Sequence, residues 1–269
     1  MAHSGASTAF CLGCRQDREV NVSVAIERNG RVATVVLDRP EARNAVDGPT
    51  ARALHEAFVD LDADDEIAVC VLWGSGGTFC SGADLKAMGT GRMNRLDAEG
   101  PGPMGPTRLA MSKPVIAAVE GYAVAGGLEL ALWCDLRVAG DTAVFGVFCR
   151  RWGVPLIDGG TVRLPRIVGH GHAMDMTLTG RGVPAGEAKS MGLVNVIVPE
   201  GEAREAAEDL ARDLAQFPQI CMRNDRRSIV GAWGLSIDEA MRREHELGVA
   251  TIDSGETEAG VTRFQKGEG

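Results

Sequence analysis

The chain has 269 residues, 45% of them apolar and 24% charged, a composition that excludes the disordered, collagen-like and disulfide-stapled classes. Its net charge of −9 and aromatic content of 4% argue against nucleic acid as a partner, because neither long-range attraction nor a stacking platform is present. At roughly 100–200 residues per domain, the length allows one large domain or one with a smaller appendage.

Residues 1–20 read as a disordered N-terminal arm that lacks an apolar stretch of signal-peptide length. Cys11 and Cys14 make a CxxC there, but no second Cys or His pair completes a zinc site. Seven cysteines at irregular spacing fit reduced thiols, and the expected compartment is the cytoplasm. Residues 22–28 and 31–37 alternate as two strands around Asn29-Gly30, a strong hairpin signal. A helix is predicted over 49–62, with Ala53, Leu54, Ala57, Phe58 and Leu61 on one stripe. The run 67–73 has the character of an internal strand. Residues 89–106 are rich in Gly and Pro without periodicity and read as a flexible surface loop. They contain a literal GxGxxG at Gly100, Gly102 and Gly105, which fails as a dinucleotide site because no strand leads into it and prolines flank the glycines.

Segment 114–134 is apolar, but Glu120 and Glu129 interrupt it and two carboxylates would be costly in lipid. It reads instead as a buried strand (115–119) followed by a buried helix near 128–134. Further strands are predicted at 136–139 and 194–198, and recurring strands with helices between them imply an α/β fold. From 201 onward the pattern is helical. One amphipathic helix covers 202–216, and another opens at Ser236, where Glu239 completes a capping-box pattern, and runs to about 250. The expected organisation is the arm, a core over 21–200 and a helical region over 201–269.

Two segments carry candidate chemistry. In AVAGGLELALWC (123–134), Glu129 stands on a helix that is apolar nearly all round. Burial raises a carboxyl pKa toward neutrality, which suits a general acid or base. The alternative is a structural Glu bonded to a buried Arg or to backbone groups. Gly126 and Gly127 fall at the start of that helix, where free N–H groups point outward and a backbone without side chains lets a ligand oxygen approach. Residues 74–85 form a second glycine-rich turn. Two N–H groups converging on one oxygen would make an oxyanion hole.

FCSGADL (79–85) and GYAVAGGLELALWCDLRVAG (121–140) together resemble the enoyl-CoA hydratase/isomerase, or crotonase, superfamily. LDRPEARNAV (37–46) is similar to that family's early CoA-binding segment and LVNVIVP (193–199) to its late strand. The likeness covers about residues 22–200 and, more weakly, the tail. It implies a spiral of ββα units with a helical C-terminal trimerisation region, assembled as a homotrimer or hexamer. It implies an acyl-CoA substrate, no metal, and no cofactor apart from the CoA that the substrate carries. Ala83 and Gly126 match the two oxyanion-hole amides, and Glu129 matches the first catalytic carboxylate. Arg43, Ala45, Asp84 and Leu85 match positions that hold CoA, as do Phe264 and Lys266 near the C-terminus, often toward a neighbouring subunit.

The departures bear on mechanism. The second hydratase carboxylate lies four residues before a glycine, and counting back from Gly153 lands on Cys149, whose thiol is a poor substitute. Asp158 could supply a second carboxylate from another wall, as in members that isomerise dienoyl thioesters, or it could cap the helix beginning near 159–161. Arg150 or Arg151, paired with Glu129 or Asp158, would hold that carboxylate ionised. His170 and His172 lie two apart on a predicted helix and find no third metal ligand. The expectation is a hydratase-like enzyme working through a stabilised enolate. The rivals are an enoyl- or dienoyl-CoA isomerase and a catalytically weak acyl-CoA-binding paralogue.

Overall fold

The computed structural model describes residues 18–21 and 23–267, so the Cys11–Cys14 pair lies outside the described residues. β1 (Arg18–Asn21), β2 (Val24–Asn29) and β3 (Val32–Leu37) form an antiparallel meander. Its second turn is the expected Asn29-Gly30, with Gly30 at φ +57°, a left-handed geometry that glycine adopts without a steric penalty. β1 draws into the sheet residues that the sequence assigned to the arm.

α1 (Gly48–Ala63) starts where Asp47 accepts a hydrogen bond from Thr50 N, and it buries the predicted stripe of Ala53, Leu54, Ala57, Phe58 and Leu61. β4 (Val69–Gly74) and β5 (Val115–Val119) follow, then the short β6 (Tyr122–Val124) and α2 (Gly126–Trp133). α2 begins two residues before the predicted helix, at the glycine pair itself. β7 (Leu136–Gly140), β8 (Val144–Gly146), α3 (Gly160–Val168), α4 (His170–Thr179), β9 (Val183–Pro184), α5 (Ala185–Ser190) and β10 (Val196–Val198) complete the α/β portion. The large sheet runs β1-β2-β3-β4-β5-β7-β10 and is parallel from β3 onward, while β6, β8 and β9 make a small second sheet.

α6 (Ala203–Gln216) carries alanines at 203, 207, 211 and 215, one per turn along one face. That stripe packs on Val69, Val71, Ile116, Ala118 and Val138 of the large sheet. α6 is therefore joined to the large sheet through its alanine face. Buried Glu120 tethers its start, accepting from Gly201 N and Ala203 N at 3.0 and 2.9 Å. α7 (Gln219–Gly231), α8 (Ile237–Asp253) and α9 (Glu256–Gln265) follow, and the Ser236–Glu239 capping box forms as predicted. Arg226 ties α7 to the core through Asp135 and Met111 O. Among the described residues, no helix is long and apolar enough to cross a membrane.

Candidate active site

Strand pairing places two turns side by side. Cys80 N donates to Tyr122 O and Val124 N donates to Cys80 O, which aligns the 79–83 turn with β6 and the start of α2. The close fit depends on glycine: a Cβ on Gly82 would lie 2.9 Å from Ala125 Cβ and 3.0 Å from Gly126 N. On its other side the turn pairs with residue 46, where Val46 N donates to Gly82 O and Asp84 N donates to Val46 O. In such a parallel bridge the intervening Ala83 N–H points away, and it finds no acceptor among the described residues. Gly126 N, at the first position of α2, has no acceptor either. Just before it, Ala125 stands at φ +54° and ψ −126°, a strained conformation for a residue with a Cβ. Two unpaired amides from different segments thus flank one half-buried spot, and α2 adds the positive end of its dipole.

Glu129 lies one helical turn beyond Gly126 on the same face. It is 2% exposed. Its Oε1 accepts from Asp158 N and Gly160 N, both at 2.8 Å. Oε2 has no hydrogen-bond partner among the described residues, so half the carboxyl is anchored and half is available. Burial pushes its pKa up to about 7, and the neighbouring Asp158 carboxylate adds to the rise. The two N–H donors and Arg163 act in the opposite sense. Of the two sequence alternatives for Glu129, the structure shows the bonding to backbone groups through one oxygen, while the other oxygen has no partner among the described residues.

Asp158 does not cap α3. The N-cap is Gly159, and the Asp158 carboxylate turns toward loop 102–107 instead. There its Oδ1 accepts from Met104 N at 3.0 Å and from the Thr107 hydroxyl. The second half of the loop expected to be a flexible surface is consequently buried beside the site. Gly102 and Gly105 exchange backbone hydrogen bonds across its tip. Asp158 is itself buried, which raises its pKa.

The expected Arg150 or Arg151 pairing with a site carboxylate does not form. Arg150 Nε donates to Thr177 O and Arg151 Nη2 to Gly180 O, so both arginines satisfy carbonyls at the end of α4. A cation whose charge reaches both carboxylates is Arg163, which the sequence reasoning missed; Arg108 also acts on Asp158. Arg163 donates to Asp158 O at 3.0 Å and to Thr107 O at 2.7 Å. An arginine one turn into the helix after Asp158 was its only sequence signal, shared with Arg166 further along; Met104 and Thr107 had none. Cys149 is buried close enough to Glu129 for the two to interact. Burial and that carboxylate both push its thiol pKa up, so it stays protonated.

The CoA-type positions also gather here. Ser81 N donates to Arg43 O, and the bridge at Val46 lays 43–46 beside 81–85. Arg43 is exposed in a left-handed conformation, Ala45 is buried and Leu85 is exposed. The Asp84 carboxylate is engaged by Arg39 at 3.0 Å and by Lys86 N, and Arg39 also donates to Ala45 O. Arg39 therefore braces both strips. Phe264 and Lys266 stand exposed at the end of α9 and share no hydrogen bond or ion pair with these residues.

The family model for enoyl-CoA hydratase/isomerase matches residues 27–268. An enoyl-CoA hydratase of Mycobacterium tuberculosis is 36% identical over 89% of this chain and 92% of its own length. A carnitinyl-CoA dehydratase of Salmonella typhi is 40% identical over 74% of this chain and 77% of its own. Among solved structures, an enoyl-CoA hydratase from Mycobacterium tuberculosis superposes with a TM-score of 0.87 at 36% identity, covering 91% of this chain and 96% of the other. The chain belongs to the enoyl-CoA hydratase/isomerase family and has the crotonase fold.

Proposed function

We propose that this chain is a hydratase-like enzyme acting on acyl-CoA thioesters, with the thioester oxygen held by the amides of Ala83 and Gly126. The observation that carries the reading is the two unpaired N–H groups of Ala83 and Gly126 from neighbouring turns, with the free oxygen of Glu129 one helical turn beyond Gly126 on α2. When water adds to the β-carbon of a 2-enoyl thioester, Glu129 takes its proton. The C=C electrons move toward the thioester oxygen, and the resulting enolate is stabilised by both amides. Returning the proton to the α-carbon completes hydration. Water adds across the double bond with no net oxidation or reduction, so the reaction calls for no redox cofactor. CoA lies along Arg43, Ala45, Asp84 and Leu85, and Lys266 serves a neighbouring subunit. Exposed Ile237, Met241, Ile252 and Phe264 on α8 and α9 support association with other copies of the chain, which we take to be a homotrimer or hexamer. We assign the protein to the cytoplasm.

A specific observation supports isomerisation as the second reading. Cys149 is a neutral thiol, and one oxygen of Asp158 is occupied by the 102–107 loop. Glu129 is then the best-placed carboxyl to carry a proton from one substrate carbon to another, a task that requires no water.

Loss of the conjugated absorbance of crotonyl-CoA separates the two. Rapid loss in the wild type supports hydration. An inert wild type that gains the reaction in Cys149→Glu supports a hydratase scaffold serving isomerisation, and 3-enoyl thioesters then become the test substrates. Absence of turnover on any of these, despite tight CoA binding, would overturn both readings. For hydration, kcat/KM is expected to rise with pH and level off above about 7, because Glu129 must be ionised to accept the proton from water. A profile flat between pH 5.5 and 8.5 would contradict Glu129 as the base.

A further inference from the structure

We propose that Met104 closes the acyl end of the site and confines the enzyme to short acyl chains. The inference rests on the reading that the thioester oxygen occupies the Ala83 and Gly126 amides. With that oxygen fixed and CoA along exposed Arg43 and Leu85 as proposed above, the α-carbon side of the thioester is the side turned to Glu129. The remaining acyl carbons must continue past Glu129. What stands there is a chain of contacts: Asp158 N donates to Glu129, and Asp158 Oδ1 in turn accepts from Met104 N.

The Met104 side chain lies across Gly126 and is 1% exposed. A Cβ on Gly126 would meet its Sδ at 2.7 Å, its Cγ at 3.0 Å and its Cε at 3.1 Å. A thioether can change rotamer, but this one is rooted in a backbone held on several sides. Met104 N is bonded to Asp158, and the flanking Gly102 and Gly105 bond each other. Gly105 is wedged against α1, where a Cβ would come within 3.2 Å of Leu54 Cβ. Thr107, bonded to the same Asp158 oxygen, and Arg163, bonded to Thr107 O, hold the far side of the loop. A long acyl chain would have to displace this assembly, whereas a four-carbon chain ends before reaching it.

The experiment compares four-, six- and ten-carbon 2-enoyl-CoA substrates for kcat/KM, and the matching saturated acyl-CoAs for Kd by calorimetry. The proteins are wild type, Met104→Ala and Met104→Leu. The wild type is expected to lose roughly 100-fold in kcat/KM from four to ten carbons, in line with the selectivity of a closed apolar pocket. Met104→Ala is expected to recover at least about tenfold on the ten-carbon substrate. Met104→Leu, which conserves volume, should keep the wild-type preference. A wild type that binds and converts ten carbons as well as four overturns the proposal, even if Met104→Ala fails to fold. So does a folded Met104→Ala with an unchanged chain-length profile. If no acyl-CoA binds at any length, the thioester reading falls and the inference falls with it.

Discussion

Glu129→Gln is expected to lower turnover of the productive thioester by about 10³-fold while leaving a folded protein that is more stable than the wild type at alkaline pH. The kinetic half of this result follows from the free Oε2, the group placed to move a proton beside the α-carbon. Gln keeps an oxygen that can accept from Asp158 N and Gly160 N, so the anchor survives while the proton carrier is lost. The stability half follows from the pKa. Glu129 titrates at about 7 in the folded protein against 4.5 for an ordinary glutamate. Between those values the folded state binds a proton that the unfolded chain has released, so stability falls as pH rises through the window. For this buried group the fall is on the order of 3 kcal/mol, complete above the folded pKa. Gln does not ionise and escapes that loss. Melting curves at pH 5 and pH 8 should therefore show the variant gaining on the wild type at the higher pH. An equal difference at both pH values would mean that Glu129 ionises without hindrance, contrary to its surroundings. Unchanged turnover would remove it from the chemistry.

Gly127→Ala is expected to damage both activity and fold. A Cβ at this position would overlap the carbonyl oxygen of Cys80 and lie 2.7 Å from its carbon. Those are backbone atoms, and their strand is fixed by hydrogen bonds to Tyr122 and Val124. A flexible side chain could rotate away, but here either the helix or the turn must move. Separating them pulls the Gly126 amide away from the Ala83 amide and dismantles the donor pair. Losing one such donor elsewhere costs roughly 10²–10³ in kcat, and overpacking of this kind adds about 1–3 kcal/mol of destabilisation. Assays of turnover and denaturant midpoint on the same preparation should show both. A variant with wild-type kcat would mean that the two turns are not held in contact, and the oxyanion-hole geometry would have to be abandoned.

What was legible in the sequence was local. The glycine pair followed by Glu129 announced a helix start and a buried carboxyl, since a helix apolar on all sides must be buried. The hairpin at Asn29-Gly30 and the box at Ser236–Glu239 depend on neighbours one to three residues away, and both form. Distant partners were not legible. Asp158 looked like a cap because Asp favours that position, but its oxygen is claimed by Met104 N and Thr107, more than fifty residues earlier in the chain. Loop 89–106 looked mobile because Gly and Pro leave no periodicity, yet Asp158 and Arg163 bury its second half. Arg150 and Arg151 stood near the carboxylates in sequence, but the end of α4 offered them unpaired carbonyls. The alanine stripe of α6 was visible as a face, but nothing in it specified the sheet as its partner.

The most direct test of the central claim is exchange of the α-protons of butyryl-CoA in heavy water, followed by NMR. The saturated thioester cannot be hydrated or isomerised, so exchange reports enolate formation alone. The wild type should incorporate deuterium at the α-carbon, Cys149→Ala should retain that exchange, and Glu129→Gln should abolish it. No exchange in the wild type, or exchange that persists in Glu129→Gln, would contradict an enolate held by Ala83 and Gly126 and protonated by Glu129.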